Sequence, residues 1–98
     1  MTFIPNDDPS FPRHNYQASR FEIGQDETLA VLEYHFVGKK MIFTHTGVPS
    51  ALEGQGIASR LARTGLEFAR EKGLKVVSLC SFISGYIRKH PEYQDLVE

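Results

Sequence analysis

The stretch from Lys40 to Lys72 constrains this chain more than any other. An apolar, β-patterned run ends at His45-Thr46, a loop follows with Glu53-Gly54-Gln55-Gly56-Ile57-Ala58 at its centre, and a helix begins at once. A strand that feeds a glycine-bearing turn straight into a helix leaves several backbone N–H groups without helical partners. It points them, with the positive end of the helix dipole, at one spot. Such a spot suits a phosphate or pyrophosphate. Two familiar phosphate folds fail on missing residues. No Gly-Lys-Ser/Thr follows the loop, so a P-loop would lack its lysine. The helix lacks the third glycine of a dinucleotide fingerprint, and no acidic residue closes a following strand. For Gly-x-Gly taken alone, a plain tight turn into a helix stays open as the alternative.

The pattern around that unit sets the fold class. Ser19 to Ile23 is a short candidate strand ending at Gly24. Glu27 to Val37 is a stronger one, with Ala30, Leu32, Tyr34 and Phe36 on one face and Leu29, Val31, Glu33 and His35 on the other. Gly38-Lys39 reads as a hairpin turn, and Lys40 to Thr46 as the third strand. Short connections make these an antiparallel meander. Gln55 to about Lys72 is a helix, because Ala58, Leu61, Ala62, Gly65, Leu66 and Ala69 recur on one face. Gly73 stops it. Leu74 to Leu79 is a buried strand that completes a β-α-β unit, with its two strands parallel. Ser81 to about Lys89 is a second helix, with Phe82, Ile83, Tyr86 and Ile87 on its apolar side, and Pro91 ends or bends it. The class is mixed α/β and α+β: an antiparallel β-meander, a β-α-β unit and a C-terminal helix. Residues 1–15, with Pro5, Pro9 and Pro12, read as an extended or mobile lead-in, and residues 16–98 as one domain.

Composition narrows the function classes. A chain of 98 residues makes one domain with a small core, to be packed efficiently or completed by a partner. A net charge of −1 argues against a general nucleic-acid role. Arg60, Arg63, Arg70, Lys72 and Lys75 cluster in or after the helix with Glu67 and Glu71 between them, as a solvated face or an anion-binding stripe. The single cysteine, Cys80, forms no internal disulfide and fits a reducing compartment. No secretory leader pattern and no run of about 18 apolar residues is present, so a soluble, cytoplasmic protein without membrane partners is expected. No His or Cys pair has metal-ligand spacing, so no metal is expected.

The loop resembles the cofactor-binding signature of GNAT-type N-acetyltransferases, Gln/Arg-x-x-Gly-x-Gly/Ala. More specifically, the chain resembles the small, single-domain GNAT-like N-acetyltransferase domain proteins. The matching pieces are His45-Thr46-x-Val48-Pro49, Gly54-x-Gly56-Ile57-Ala58-Ser59-x-Leu61, Leu79-Cys80-Ser81-Phe82, Tyr86-Ile87 and His90-Pro91-Glu92-Tyr93. They run in order from about Phe21 to Val97. The resemblance implies a mixed sheet and an acyl-CoA site. The pantetheine arm would lie along His45, Thr46 and Val48, and the pyrophosphate on the amides of Gly54, Gln55, Gly56, Ile57, Ala58 and Ser59. Glu53 departs from the Gln/Arg of the signature and is expected to point outward. The small branch also lacks the first helices that cover the acceptor site in larger relatives.

Cys80 ends a strand and precedes a helix start, where the dipole favours thiolate. The resemblance makes it the candidate catalytic residue, taking the acetyl group transiently. The alternative is a buried cysteine acting as a small hydrophobe. His45 is a candidate for lining the acyl-CoA site or accepting a proton; a strand-end histidine satisfied by backbone is the alternative. His90 suits the cationic end of a helix without any catalysis. His14 and His35 have no companions. Glu33 and Tyr34 match no catalytic role, and Tyr86 is either a weak acid candidate or core packing.

The expected function is an acetyl-CoA-dependent N-acetyltransferase acting on an unidentified amine, directly or by way of Cys80. Two other readings stay open: a CoA-binding module with little or no transferase activity, and a protein-interaction domain with a vestigial loop. A monomer or weak dimer is expected.

Overall fold

The computed structural model describes residues 11–98, and its regular elements run in a simple order. Strands β1 (Arg13–Asn15), β2 (Arg20–Ile23), β3 (Ala30–Val37) and β4 (Lys40–Gly47) are followed by helix α1 (Ile57–Glu71), strand β5 (Lys75–Ser78) and helix α2 (Ser81–Lys89). Short 3-10 turns occupy Asp26–Thr28, Ser50–Leu52 and Pro91–Leu96. The sheet keeps sequence order, β1-β2-β3-β4-β5. The first four strands pair antiparallel, and β5 pairs parallel to β4. The meander and the β-α-β unit expected from the pattern are therefore both present.

Several boundaries differ from the pattern, each for a physical reason. The lead-in was placed at residues 1–15, of which 1–10 lie outside the described residues. Arg13–Asn15 is not a loose lead-in: it pairs with Arg20–Glu22 as an edge strand, so the meander has four strands and not three. Its anchors are the His14 ring, stacked on Phe21, and the Glu22 carboxylate. Glu22 accepts hydrogen bonds from Arg20 Nε at 2.6 Å and from Asn15 Nδ2 at 3.0 Å. The strand expected from Glu27 starts only at Ala30, because Asp26 takes φ 54° and turns the chain through the 3-10 segment. Phe36 lies past the protected part of its face and stays 46% exposed, its ring against Tyr34. Leu74–Leu79 was expected to be a buried strand; β5 is shorter, and Leu79 is exposed where the pairing ends.

The core lies between the sheet and α1. The α1 stripe Leu61, Ala62, Leu66 and Ala69 is buried against Phe21, Leu32, Phe43 and Val76. The small residues in that stripe let the helix axis come close to the strands. A Cβ placed on Gly65 would sit 2.9 Å from both Leu32 Cδ2 and Phe43 Cε1. Helix α2 buries Ile83 and Ile87, and the Pro91–Leu96 turn then folds back to insert Tyr93 and Leu96. Tyr93 donates its hydroxyl to Glu67 Oε2 at 2.6 Å, and Arg70 clasps Asp95 with two hydrogen bonds. Burial, followed by the Glu67 carboxylate, pushes the Tyr93 phenol up to about 12. No helix among the described residues is long and apolar enough to cross a membrane.

Candidate functional site

Strands β4 and β5 run together only as far as Phe43 and Ser78, with a last bond from Leu79 N–H to the Phe43 carbonyl at 2.9 Å. On its other side β4 stays paired with β3 up to Gly47. Residues 44–47 therefore turn one backbone edge toward an opening between the strands. The divergence coincides with a β-bulge, where Thr44 and His45 together oppose Glu33. Bulges bend and twist a strand away from its neighbour. Thr44 secures it through a hydrogen bond from its hydroxyl to the Glu33 carbonyl.

Cys80 sits at the mouth of this opening as the residue that begins α2. The Thr46 hydroxyl lies 3.3 Å from Cys80 Sγ. Burial alone pushes the thiol up. That effect is outweighed by the Thr46 hydroxyl and by the backbone N–H groups of Ile83, Phe82 and Thr46, and the thiol is held below its ordinary value. Cys80 is the residue just before the first turn of α2, beside the N–H groups that have no helical partner. Behind it, Ser84 donates to Ser78 Oγ at 2.8 Å, and Ser78 donates to the Cys80 carbonyl at 2.9 Å. The contacts around Cys80 thus favour its thiolate form over what burial alone would allow.

The loop expected to hold an anion lies beside it. Gly54 and Gly56 take φ 81° and 72°, and Gly56 is the residue from which α1 starts. Left-handed backbone of this kind favours glycine. No side chain caps α1, and its first turn holds no acidic residue. The N–H groups of Ile57, Ala58 and Ser59 thus open the helix without a side-chain cap, an arrangement that suits an anion. A cleft of about 250 Å³ lies over them, bordered by Val48, Leu52, Gly54, Gly56, Ser59 and Phe82. Gln55 is exposed and reaches back to the Ala51 carbonyl. Glu53 is exposed at the rim.

Thr46, Val48, the Gly54–Ser59 turn and Cys80 thus belong to one region. His45 enters it through its backbone only. Strand alternation turns its side chain to the face opposite Thr46, and its ring lies over Gly47, where an added Cβ would meet Nε2 at 3.0 Å. Thr46 was expected as a backbone contact alone; its hydroxyl and N–H on the sulfur could be anticipated only from the register of β4 against α2. His14 is not solitary. It hydrogen-bonds the Tyr34 hydroxyl and stacks on Tyr16 and Phe21, away from this region. Among the described residues no group of three His, Cys, Asp or Glu side chains gathers as a metal site.

A family model for GCN5-related N-acetyl-transferases matches residues 20–96. Protein NATD1 of Mus musculus is 37% identical over 81 residues, which cover 80% of this chain and 74% of that protein. Protein NATD1 of Homo sapiens is 43% identical over 63 residues, covering 63% of this chain and 56% of the human protein. The chain thus spans little more than half of the human protein, and the same holds for its Xenopus tropicalis and Gallus gallus counterparts. The NMR structure of a GCN5-like protein from Staphylococcus aureus superposes with a TM-score of 0.74 at 34% identity, covering 92% of this chain and 89% of that one.

Proposed function

The chain belongs to the GCN5-related N-acetyltransferase family, and from that premise we propose that it binds acetyl-CoA and transfers the acetyl group to an amine by way of Cys80. The observation that carries the reading is the pairing of two features. A thiol held below its ordinary value stands at the mouth of the β4–β5 opening, and an uncapped helix start stands beside it. The residues fit the ligand. The N–H groups from Gly54 to Ser59 receive the pyrophosphate, and the backbone from His45 to Val48 carries the pantetheine arm into the opening. Gly54 and Gly56 leave that approach free of side chains, with open space where a Cβ would stand.

The Cys80 thiolate attacks the thioester carbonyl of the substrate. A new C–S bond forms to Cys80, the bond to the CoA sulfur breaks, and CoA leaves as thiolate. The amine nitrogen then attacks the acetyl-cysteine carbonyl. The amide forms, Cys80 leaves as thiolate, and the nitrogen gives its proton to solvent. The N–H groups of Thr46, Phe82 and Ile83, which hold the thiolate at the start, receive it again at the end. The acceptor is a small amine or an exposed protein amine.

Intact mass after incubation with acetyl-CoA tests this. The expected result is one added acetyl group that is absent in Cys80→Ser. CoA should also raise the melting temperature, as ligand binding to the native state requires. A thermal shift without an adduct, and without turnover on a panel of amines, would favour a CoA-binding module. No shift at all would favour an interaction domain with a vestigial loop. Cytoplasmic location and a monomer or weak dimer complete the proposal.

A further inference from the structure

His14, Tyr16 and Phe21 form a column of rings beside α1. Tyr16 and Phe21 each stack on His14, with centroids 3.8 and 4.2 Å from its own and interplanar angles of 27° and 25°. Two rings that close to a third cannot share one of its faces, so they lie on opposite faces. The inner end of the column, Phe21, is buried, whereas Tyr16 at the outer end is 63% exposed. Phe68 of α1 meets the column edge-on, 4.6 Å from His14 and 6.2 Å from Tyr16. Holding β1 to the sheet accounts for His14 and Phe21. It does not account for the large ring left open at the end of the stack.

A cavity of about 530 Å³ stands against this column, with Phe11 as a further ring on its wall. Its polar wall comes from α1, as Arg63, Thr64, Glu67 and Glu71. Glu67 is engaged by the Tyr93 hydroxyl. Glu71 has no bonded partner among the described residues. Arg63 stands two helical turns from Glu71, about 12 Å along α1. Lys72 lies outside the wall, with Nζ 5.9 Å from the centroid of the Phe68 ring. The cavity is separate from the acyl-transfer region. His14 pairs with Phe21, Phe21 with Leu32 and Leu32 with Thr46. Three strand spacings, about 14 Å, therefore part His14 from Thr46. Helix α1 lies across that row, with Gly65 against Leu32.

We propose that this cavity is a second binding site, for a small planar heteroaromatic molecule whose edge carries adjacent N–H donors. Its ring stacks on the open face of Tyr16 and extends the column by one layer. Its donor edge meets the Glu71 carboxylate, with the two-point pairing that a planar N–C–N edge makes with a carboxylate. An occupant without polar atoms would bury that carboxylate unpaired, and an anionic one would meet it as a like charge. The volume is within the range of small-molecule sites, whose usual lining is rings with a few polar groups. The site does not depend on CoA binding.

Titration of the full chain with 2-aminobenzimidazole and 2-methylbenzimidazole, followed through the backbone amides by NMR, tests the proposal. The first probe carries the donor edge; the second keeps the rings and lacks the amino group. The amides of Tyr16, Thr64, Phe68 and Glu71 should shift with 2-aminobenzimidazole, with a Kd on the order of 1 mM for a ligand of this size. The methyl probe should bind about tenfold more weakly. Glu71→Ala, at an exposed position, should remove that difference, and Tyr16→Leu should weaken both probes about tenfold. Equal affinity of the two probes for wild type, an unchanged preference in Glu71→Ala, unchanged affinity in Tyr16→Leu, or no shift at the cavity with either probe overturns the proposal. If cavity amides shift with protein concentration alone while neither probe moves them, a second copy of the chain is the occupant and the proposal also fails.

Discussion

Thr46 Oγ1 and Cys80 Sγ stand 3.3 Å apart, although 34 residues separate them in the chain. The contact bridges β4 and α2 where β4 and β5 have already parted. Two parts of Thr46 act on one atom, since its hydroxyl and its N–H both favour the Cys80 thiolate.

Thr46→Val keeps the shape and the N–H but removes the hydroxyl. The Cys80 thiol should rise, because one of the contacts that outweigh burial is gone. Alkylation by iodoacetamide, followed by mass across a pH series, reports this directly. The midpoint of the rate profile should move to higher pH, and the rate near neutrality should fall. An unmoved midpoint would show that the backbone donors alone set the thiolate.

Gly56 opens α1 at φ 72°. Gly56→Ala should lower stability in urea by about 1–2 kcal/mol, the cost of a Cβ in left-handed backbone. Gly56→Asn should cost less, since asparagine tolerates that conformation better. Equal losses for the two would show that the left-handed φ is not what makes glycine necessary here.

The elements that could be read from sequence are those whose faces are decided locally. The α1 stripe, the Ser81–Lys89 helix and the parallel return of β5 all follow from spacing and from the glycine and proline stops. The loop signature located the Gly54–Ser59 turn for the same reason. The contacts that complete the site are non-local. Nothing in Thr46 itself marks it as the partner of Cys80; the bulge opposite Glu33 and the divergence of β5 bring it there. Strand β1 was hidden because Arg13–Asn15 has no apolar alternation. It is held by backbone pairing, by Asn15 on the Glu22 carboxylate and by the His14 ring stacked on Phe21. Alternation likewise fixed only that His45 and Thr46 face opposite ways, and register decided which of them meets the sulfur.

Gly65 tests how closely α1 sits on the sheet. Alanine there gains roughly 1 kcal/mol of helix propensity over glycine. Its Cβ would lie 2.9 Å from Leu32 Cδ2 and Phe43 Cε1, and overpacking of a tight core costs about 1–3 kcal/mol. Leu32 can yield by rotating, but the Phe43 ring is fully buried and has little room to move aside. The net effect should be destabilising, up to about 2 kcal/mol by urea unfolding. Gly65→Ala that proves more stable than wild type would show that α1 has room to lift away from β3 and β4.

Burial holds the His14 imidazole below its ordinary value, in a cluster with Tyr16, Phe21, Tyr34 and Phe68. The folded chain therefore resists taking a proton that the unfolded chain accepts at about pH 6.5. Between that pH and the lower folded value the unfolded state binds more protons, so stability falls as pH falls. Above the window both states are neutral and the effect vanishes. The Glu22 carboxylate is held below its own ordinary value: burial pushes it up, but hydrogen bonds from Arg20 and Asn15 outweigh that. Its contribution is lost only below about pH 4.5, so measurements kept above about pH 5 isolate the histidine. His14→Phe keeps a ring in the stack and removes the titration. Urea midpoints at about pH 7.5 and 5.5 should differ more in wild type than in His14→Phe. Equal differences in the two proteins would mean that His14 takes its proton as readily folded as unfolded.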